Sequence, residues 1–138
     1  IREVAYWGSY EDINKMRDYI TSNEMLYRSA AIQCMSIAKF EFAEQALEHA
    51  YSQQTEELKE QTLYTILRIQ SGKALPFFVG AYGESTVATT KYAILKCMYW
   101  YNEESRETFE LLESSADEND LLLFKEVRAA LVNPLLQN

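Results

Sequence analysis

Glycine and proline are scarce, at 4 and 2 among 138 residues. An all-β sandwich needs turn residues roughly every 8 to 12 positions, so this chain is expected to be helical almost throughout. Histidine occurs once, at His49, and cysteine twice, at Cys34 and Cys97. A single imidazole excludes paired-histidine metal sites and leaves one possible base for any nucleophile. His49 lies beside Glu48 on an acidic helix side, where an exposed, chemically idle role is expected. The cysteines sit in apolar helical stretches and read as buried thiols of a reducing compartment, on the order of 20 Å apart and not disulfide-bonded. Basic charge is also short: 13 Lys and Arg stand against 21 Asp and Glu, a formal charge of −8. That balance argues against a nucleic-acid partner. No apolar run is long enough to span a bilayer and no signal-peptide pattern opens the chain, so no membrane insertion of this segment is expected. Because Ile1 rather than Met stands first, the expectation is a piece of a longer protein, cytoplasmic or facing the cytoplasm, with any tether outside it.

What is present is helical periodicity. Apolar residues recur at three- and four-residue spacing over about 10–20, 24–39, 42–53, 56–70, 74–83, 86–102, 105–115 and 120–133. Short polar breaks separate these runs, with capping residues at Ser22 and Asn23, Thr55, Gly83 to Ser85, and Asn119 with Asp120. Pro76 falls in the first turn of the fifth run and Pro134 beyond the last. Loops this short make successive helices antiparallel neighbours.

The hairpins repeat. Blocks beginning at Ala30, Thr62, Ala93 and Ala129 align at spacings of 32, 31 and 36 residues, the last lengthened by the polar insertion from Ser114 to Asn119. Cys34, Ile66 and Cys97 share one column, and Met35, Leu67 and Met98 the next. In the first helices Tyr19, Tyr51 and Tyr82 keep a weaker register, and residues 2–7 align with 96–101, so that 1–7 read as the helix-like tail of a preceding unit. Such a unit cannot bury its apolar face alone and must stack on its neighbours. The expected architecture is an all-α, right-handed α-solenoid of four antiparallel hairpins within one domain over 1–138, with units at about 9–39, 42–70, 74–102 and 105–133.

Two second helices read Arg28-Ser29-Ala30-Ala31 followed by Cys34-Met35, and Lys91-Tyr92-Ala93-Ile94 followed by Cys97-Met98. This pattern resembles the second helix of HEAT-like repeats, in which a basic residue precedes a small residue and then aliphatics. Glu60 and Val127 stand at the basic position in the other two units. The unit is shorter than the roughly 40–47 residues of HEAT and armadillo repeats, and is similar to the short HEAT-like units of bacterial proteins. Tetratricopeptide repeats share a period near 34 residues, but their signature residues do not occur here.

Two surfaces stand out. Glu103, Glu104, Glu107, Glu110, Glu113, Asp117, Glu118 and Asp120 concentrate acid on one helix and its following loop. A solvated face accounts for them, and a patch for a basic partner or divalent cation is the functional alternative. The second helices instead carry a strip at i, i+4, i+7 spacing: Ser29, Gln33 and Ser36, then Gln61, Thr65 and Arg68, then Tyr92, Lys96 and Tyr99, and finally Arg128. Those ten positions hold three of the 13 basic residues and none of the 21 acids. In stacked helical repeats the second helices line the concave face. The expected function is therefore a non-enzymatic scaffold binding a protein or peptide through Arg68, Tyr92, Lys96, Tyr99 and Arg128, with no cofactor and no metal. The alternatives are a HEAT-like enzyme or enzyme subunit, such as the lyase-like members that resemblance suggests, and a tetratricopeptide-like peptide-binding module. A glycosylase of this architecture is disfavoured by the acidic charge.

Overall fold

The computed structural model describes residues 16–38 and 41–132, with side chains over 16–35 and 43–130. All regular structure among the described residues is helical: α1 (Met25–Ala38), α2 (Glu41–Ala50), α3 (Glu56–Ile69), α4 (Leu75–Glu84), α5 (Ala88–Tyr101), α6 (Glu103–Ser114) and α7 (Glu118–Val132). Short 3-10 turns at Asp18–Thr21 and Tyr51–Gln53 precede α1 and follow α2. None of these helices is long and apolar enough to cross a membrane. The helix-like tail expected at 1–7, most of the run at 10–20, and Pro134 lie outside the described residues.

Local sequence explains most helix ends. Thr55 accepts the Leu58 N–H at 3.3 Å, and Glu56 and Glu57 follow in the first turn of α3, where acids suit the exposed N–H groups. That helix stops at Gln70, which takes the left-handed conformation at φ 55°, and Gly72 continues the reversal at φ 83°. Pro76 is the second residue of α4, as its missing N–H permits. Two starts differ from the sequence reading. Helix α6 begins at 103 rather than 105 because Asn102 caps it, its side chain accepting the Ser105 N–H at 2.8 Å. Helix α7 begins at 118 rather than 120 because the cap is Asp117, which accepts the Asp120 N–H at 2.8 Å, and not Asn119 or Asp120.

The chain divides into two compact units, 1–74 and 75–138. In the first, α1 packs most extensively on α3, the helix two places on, and α2 lies against both. Its core is Met16, Ile20, Ile32, Met35, Leu47, Leu63 and Ile66, each at most 2% exposed, and burying each such side chain stabilises by about 1.5–3 kcal/mol. In the second, α5 is the central helix, packed on α4, α6 and α7. Its core is aromatic: Phe109 meets Phe124 edge-on at 4.9 Å and Tyr99 at 5.3 Å, while Phe78 meets Tyr101 at 5.4 Å.

The columns of the repeat are visible as burial. Ala31, Leu63, Ile94 and Ala130 are all buried, as are Cys34, Ile66 and Cys97. Neither cysteine is in a disulfide. One column toward the N-terminus of each block, Ser29, Gln61, Tyr92 and Arg128 are all half-buried, which places the first strip position at the rim of the core.

Candidate functional site

In the first unit the strip runs along the seam between α1 and α3. Ser29 Oγ donates to Gln61 Oε1 at 2.9 Å, joining strip positions 32 residues apart. Thr65 is buried and donates its hydroxyl to the Gln61 carbonyl at 2.8 Å, so it floors the seam rather than presenting a group to a ligand. Two hollows open along this line. One of about 470 Å³ is lined by Met25, Leu26, Ser29, Thr55, Glu57, Leu58 and Gln61. The other, about 270 Å³, is lined by Gln33, Gln61, Tyr64, Thr65 and Arg68. Arg68 is exposed in the last turn of α3. Ser36 lies outside the described side chains.

In the second unit Tyr92, Lys96 and Tyr99 lie half-buried along α5. The Lys96 ammonium sits 5.8 Å from the centre of the Tyr92 ring, one turn away. Tyr99 is enclosed by α6: the Arg106 guanidinium stacks 4.4 Å from its ring centre and donates to the Tyr99 carbonyl at 3.2 Å. Arg128, from α7, covers the Phe109 ring at 5.3 Å. It also grips Glu113 with both prongs of its fork, Nη2 to Oε1 at 2.7 Å and Nε to Oε2 at 3.0 Å. The bond from Arg128 holds the Glu113 carboxyl below the ordinary carboxylate range, and the same bond raises Arg128. Tyr99 and Arg128 are thus brought together around Phe109. Arg68 belongs to the first unit and this cluster to the second, so each unit carries its own stretch of the strip.

No strip position is acidic, yet Glu113 on α6 reaches Arg128 and compensates its charge. Sequence spacing does not reveal a pair 15 residues apart on different helices. The acidic segment also divides in its roles: Glu113 pairs with Arg128, Asp117 caps α7, and Asp120 is tied to α4 and α5. Glu103, Glu104, Glu107, Glu110 and Glu118 remain exposed.

Asp120 accepts from the Tyr82 hydroxyl at 2.7 Å and from the Lys91 ammonium at 3.0 Å. The Tyr82 bond, with help from Lys91, lowers the Asp120 carboxyl, whereas burial and then the adjacent carboxylate push the Tyr82 phenol up. These three groups bond to one another, so the cluster acts as a tie between α4, α5 and α7. Arg28 does the equivalent in the first unit. It is only 8% exposed and donates to the carbonyls of Ser22, Gln53 and Thr21 and to Gln54 Oε1. Both basic residues that precede a small residue in the repeat pattern are therefore structural.

His49 is exposed in the last turn of α2, beside a hollow of about 310 Å³ that also involves Arg17, Asp18, Gln45 and Gln53. Among the described residues no three His, Cys, Asp or Glu side chains are grouped to hold a metal ion. Comparison with protein-family models, curated proteins and solved structures returns no match.

Proposed function

We propose that this chain is a non-enzymatic protein-interaction module built of HEAT-like helical repeats. In this reading four antiparallel hairpins over 1–138 stack into a right-handed solenoid, and the second helices α1, α3, α5 and α7 present the binding face. The observation that carries it is the hydrogen bond from Ser29 to Gln61: two strip residues one repeat apart meet at the seam of α1 and α3, as stacked second helices require. The common half-burial of Ser29, Gln61, Tyr92 and Arg128 supports the same register. Along that face Tyr92 and Tyr99 offer broad contact area at low entropy cost, and Lys96 supplies charge at the rim. Such a surface suits a protein or peptide partner in the cytoplasm, and needs no cofactor.

The test is affinity capture from native cells with the full-length protein, in wild-type form and with Lys96→Glu. A partner of the strip is recovered by the wild type, released by salt, and lost or strongly reduced with Lys96→Glu, with a matching circular dichroism melt as the control for folding. Equal recovery by both forms would move the binding surface away from α5, toward the exposed acids of α6.

A further inference from the structure

We infer that the groove between α1 and α3 binds an extended peptide carrying a large apolar side chain and, about three residues further along, a carboxylate. This rests on reading the strip as a protein-binding surface and names what the first unit's part of it recognises. Gln61 lines both hollows on the seam, which together offer an occupant a track with unlike ends. At one end Met25 and Leu26, 50% and 79% exposed, stand over buried Leu58 and offer an apolar side chain cover from water. At the other end stand Gln33, Tyr64 and Arg68, with no acid among the described lining residues.

Arg68 decides the charge of the occupant. Arg28 spends its guanidinium on carbonyls, Arg106 lies on Tyr99, and Arg128 is paired with Glu113. Arg68, by contrast, is exposed and forms no ion pair or hydrogen bond with any described residue. An exposed fork beside neutral amide and hydroxyl groups is complementary to a carboxylate, which it can meet with two parallel bonds. Glu57 on the rim of the apolar end disfavours a second acid there, so the track selects an apolar residue paired with one acid rather than any acidic chain. Between the ends, Ser29 engages one side of the Gln61 amide and leaves the other to a peptide group of the occupant, a contact indifferent to its side chains.

The spacing follows from helix geometry. Leu58 and Arg68 are ten residues apart on α3, about 15 Å at 1.5 Å per residue, and the arginine side chain leans back toward the helix N-terminus. The remaining distance, on the order of 10 Å, is covered by about three residues of extended chain.

A displayed library of short random peptides, panned against the full chain, tests this directly. Enriched peptides are expected to share an apolar residue followed or preceded at about three positions by Asp or Glu. A synthetic peptide of the enriched sequence should bind the wild type and lose about tenfold or more in affinity to Arg68→Glu and to Leu26→Asp, while Glu84→Ala, at an exposed position ending α4 and outside the strip, binds it unchanged. Both altered positions are exposed, and matching circular dichroism melts confirm that the variants fold. Enriched peptides without this pairing, unchanged binding by Arg68→Glu, or no enrichment at all would overturn the inference. Peptides lost with Lys96→Glu but kept with Arg68→Glu would overturn it while leaving the interaction-module reading standing. Loss of that broader reading shows separately, as cellular capture in which the wild type recovers no salt-released partner.

Discussion

Replacing Arg28 by Met keeps most of the side chain's length while removing the guanidinium. That group donates at 2.9 Å to the Ser22 carbonyl, at 3.2 Å to Gln53, at 3.3 Å to Thr21 and at 3.3 Å to Gln54 Oε1. It therefore fastens the 3-10 turn before α1 and the turn before α3 to α1 itself. Gln54, 6% exposed, completes the knot by donating to the Ile20 carbonyl at 2.8 Å. Hydrogen bonds from a charged donor contribute about 1.5–3 kcal/mol each. Three of the four acceptors are part-buried carbonyls that recover water when the donor is gone, so most of their share returns. Gln54 Oε1 is buried and keeps the full penalty of about 1–3 kcal/mol. The expected loss is about 2–4 kcal/mol for Arg28→Met. Arg28→Lys keeps the charge but cannot fork, and should lose about half as much. Urea unfolding followed by circular dichroism measures both, and the effect should fall on the transition of the first unit. A Met variant within about 0.5 kcal/mol of wild type would show that Arg28 is not the fastener described.

Two further outcomes are expected. Phe109→Ala removes a fully buried ring packed on Phe124, Tyr99 and Arg128, and should cost about 3–5 kcal/mol in thermal or urea unfolding; a loss below about 2 kcal/mol would mean that the cluster collapses around the gap. Glu48 is pushed up to about 8 from 4.5 by burial, then by the hydrogen bond and charge of Glu44. A carboxyl raised in the folded state contributes stability that is whole below about 4.5 and is lost as pH rises through about 8. Solvent screening of a side chain this exposed reduces that contribution to about 1–2 kcal/mol. Glu48→Gln should therefore flatten the fall in stability between those pH values, and an unchanged slope in urea titrations across that window would refute it. Asp120 and Glu113, both lowered by their partners, act in the opposite sense, their contribution being lost only as acid protonates them.

The elements and their burial were largely legible in the sequence, since both depend on residues close together. Thr55 announces α3, Pro76 sits inside the start of α4, and the Cys34, Ile66 and Cys97 column is buried as its apolar setting implies. Helix starts were misplaced at Asn102 and Asp117, where a polar residue ahead of the apolar pattern captures an N–H and draws the helix back toward it. The pairings were not legible. Arg28 with Gln54, Glu113 with Arg128 and Tyr82 with Asp120 join residues 26, 15 and 38 positions apart, and a periodic pattern reports which face a residue occupies, not which charge it meets there. For that reason five strip residues could be named from sequence, while the compensation of Arg128 and the exposure of Arg68 emerged only in three dimensions.

Asn102 is at once the end of α5 and the cap of α6, a joint of one extended residue between helices of 14 and 12 residues. The final carbonyls of α5 are met at once by the next helix, Met98 by the Ser105 hydroxyl at 2.6 Å and Tyr99 by Arg106. With almost no loop to close, the entropy that opposes their meeting is near its minimum, and contacts so near in sequence form early in folding. The second unit thereby carries its own starting point for folding, available as soon as residues 88–114 have left the ribosome. Lengthening the joint would slow folding more than unfolding, because it delays the contacts from which the rest of the unit grows.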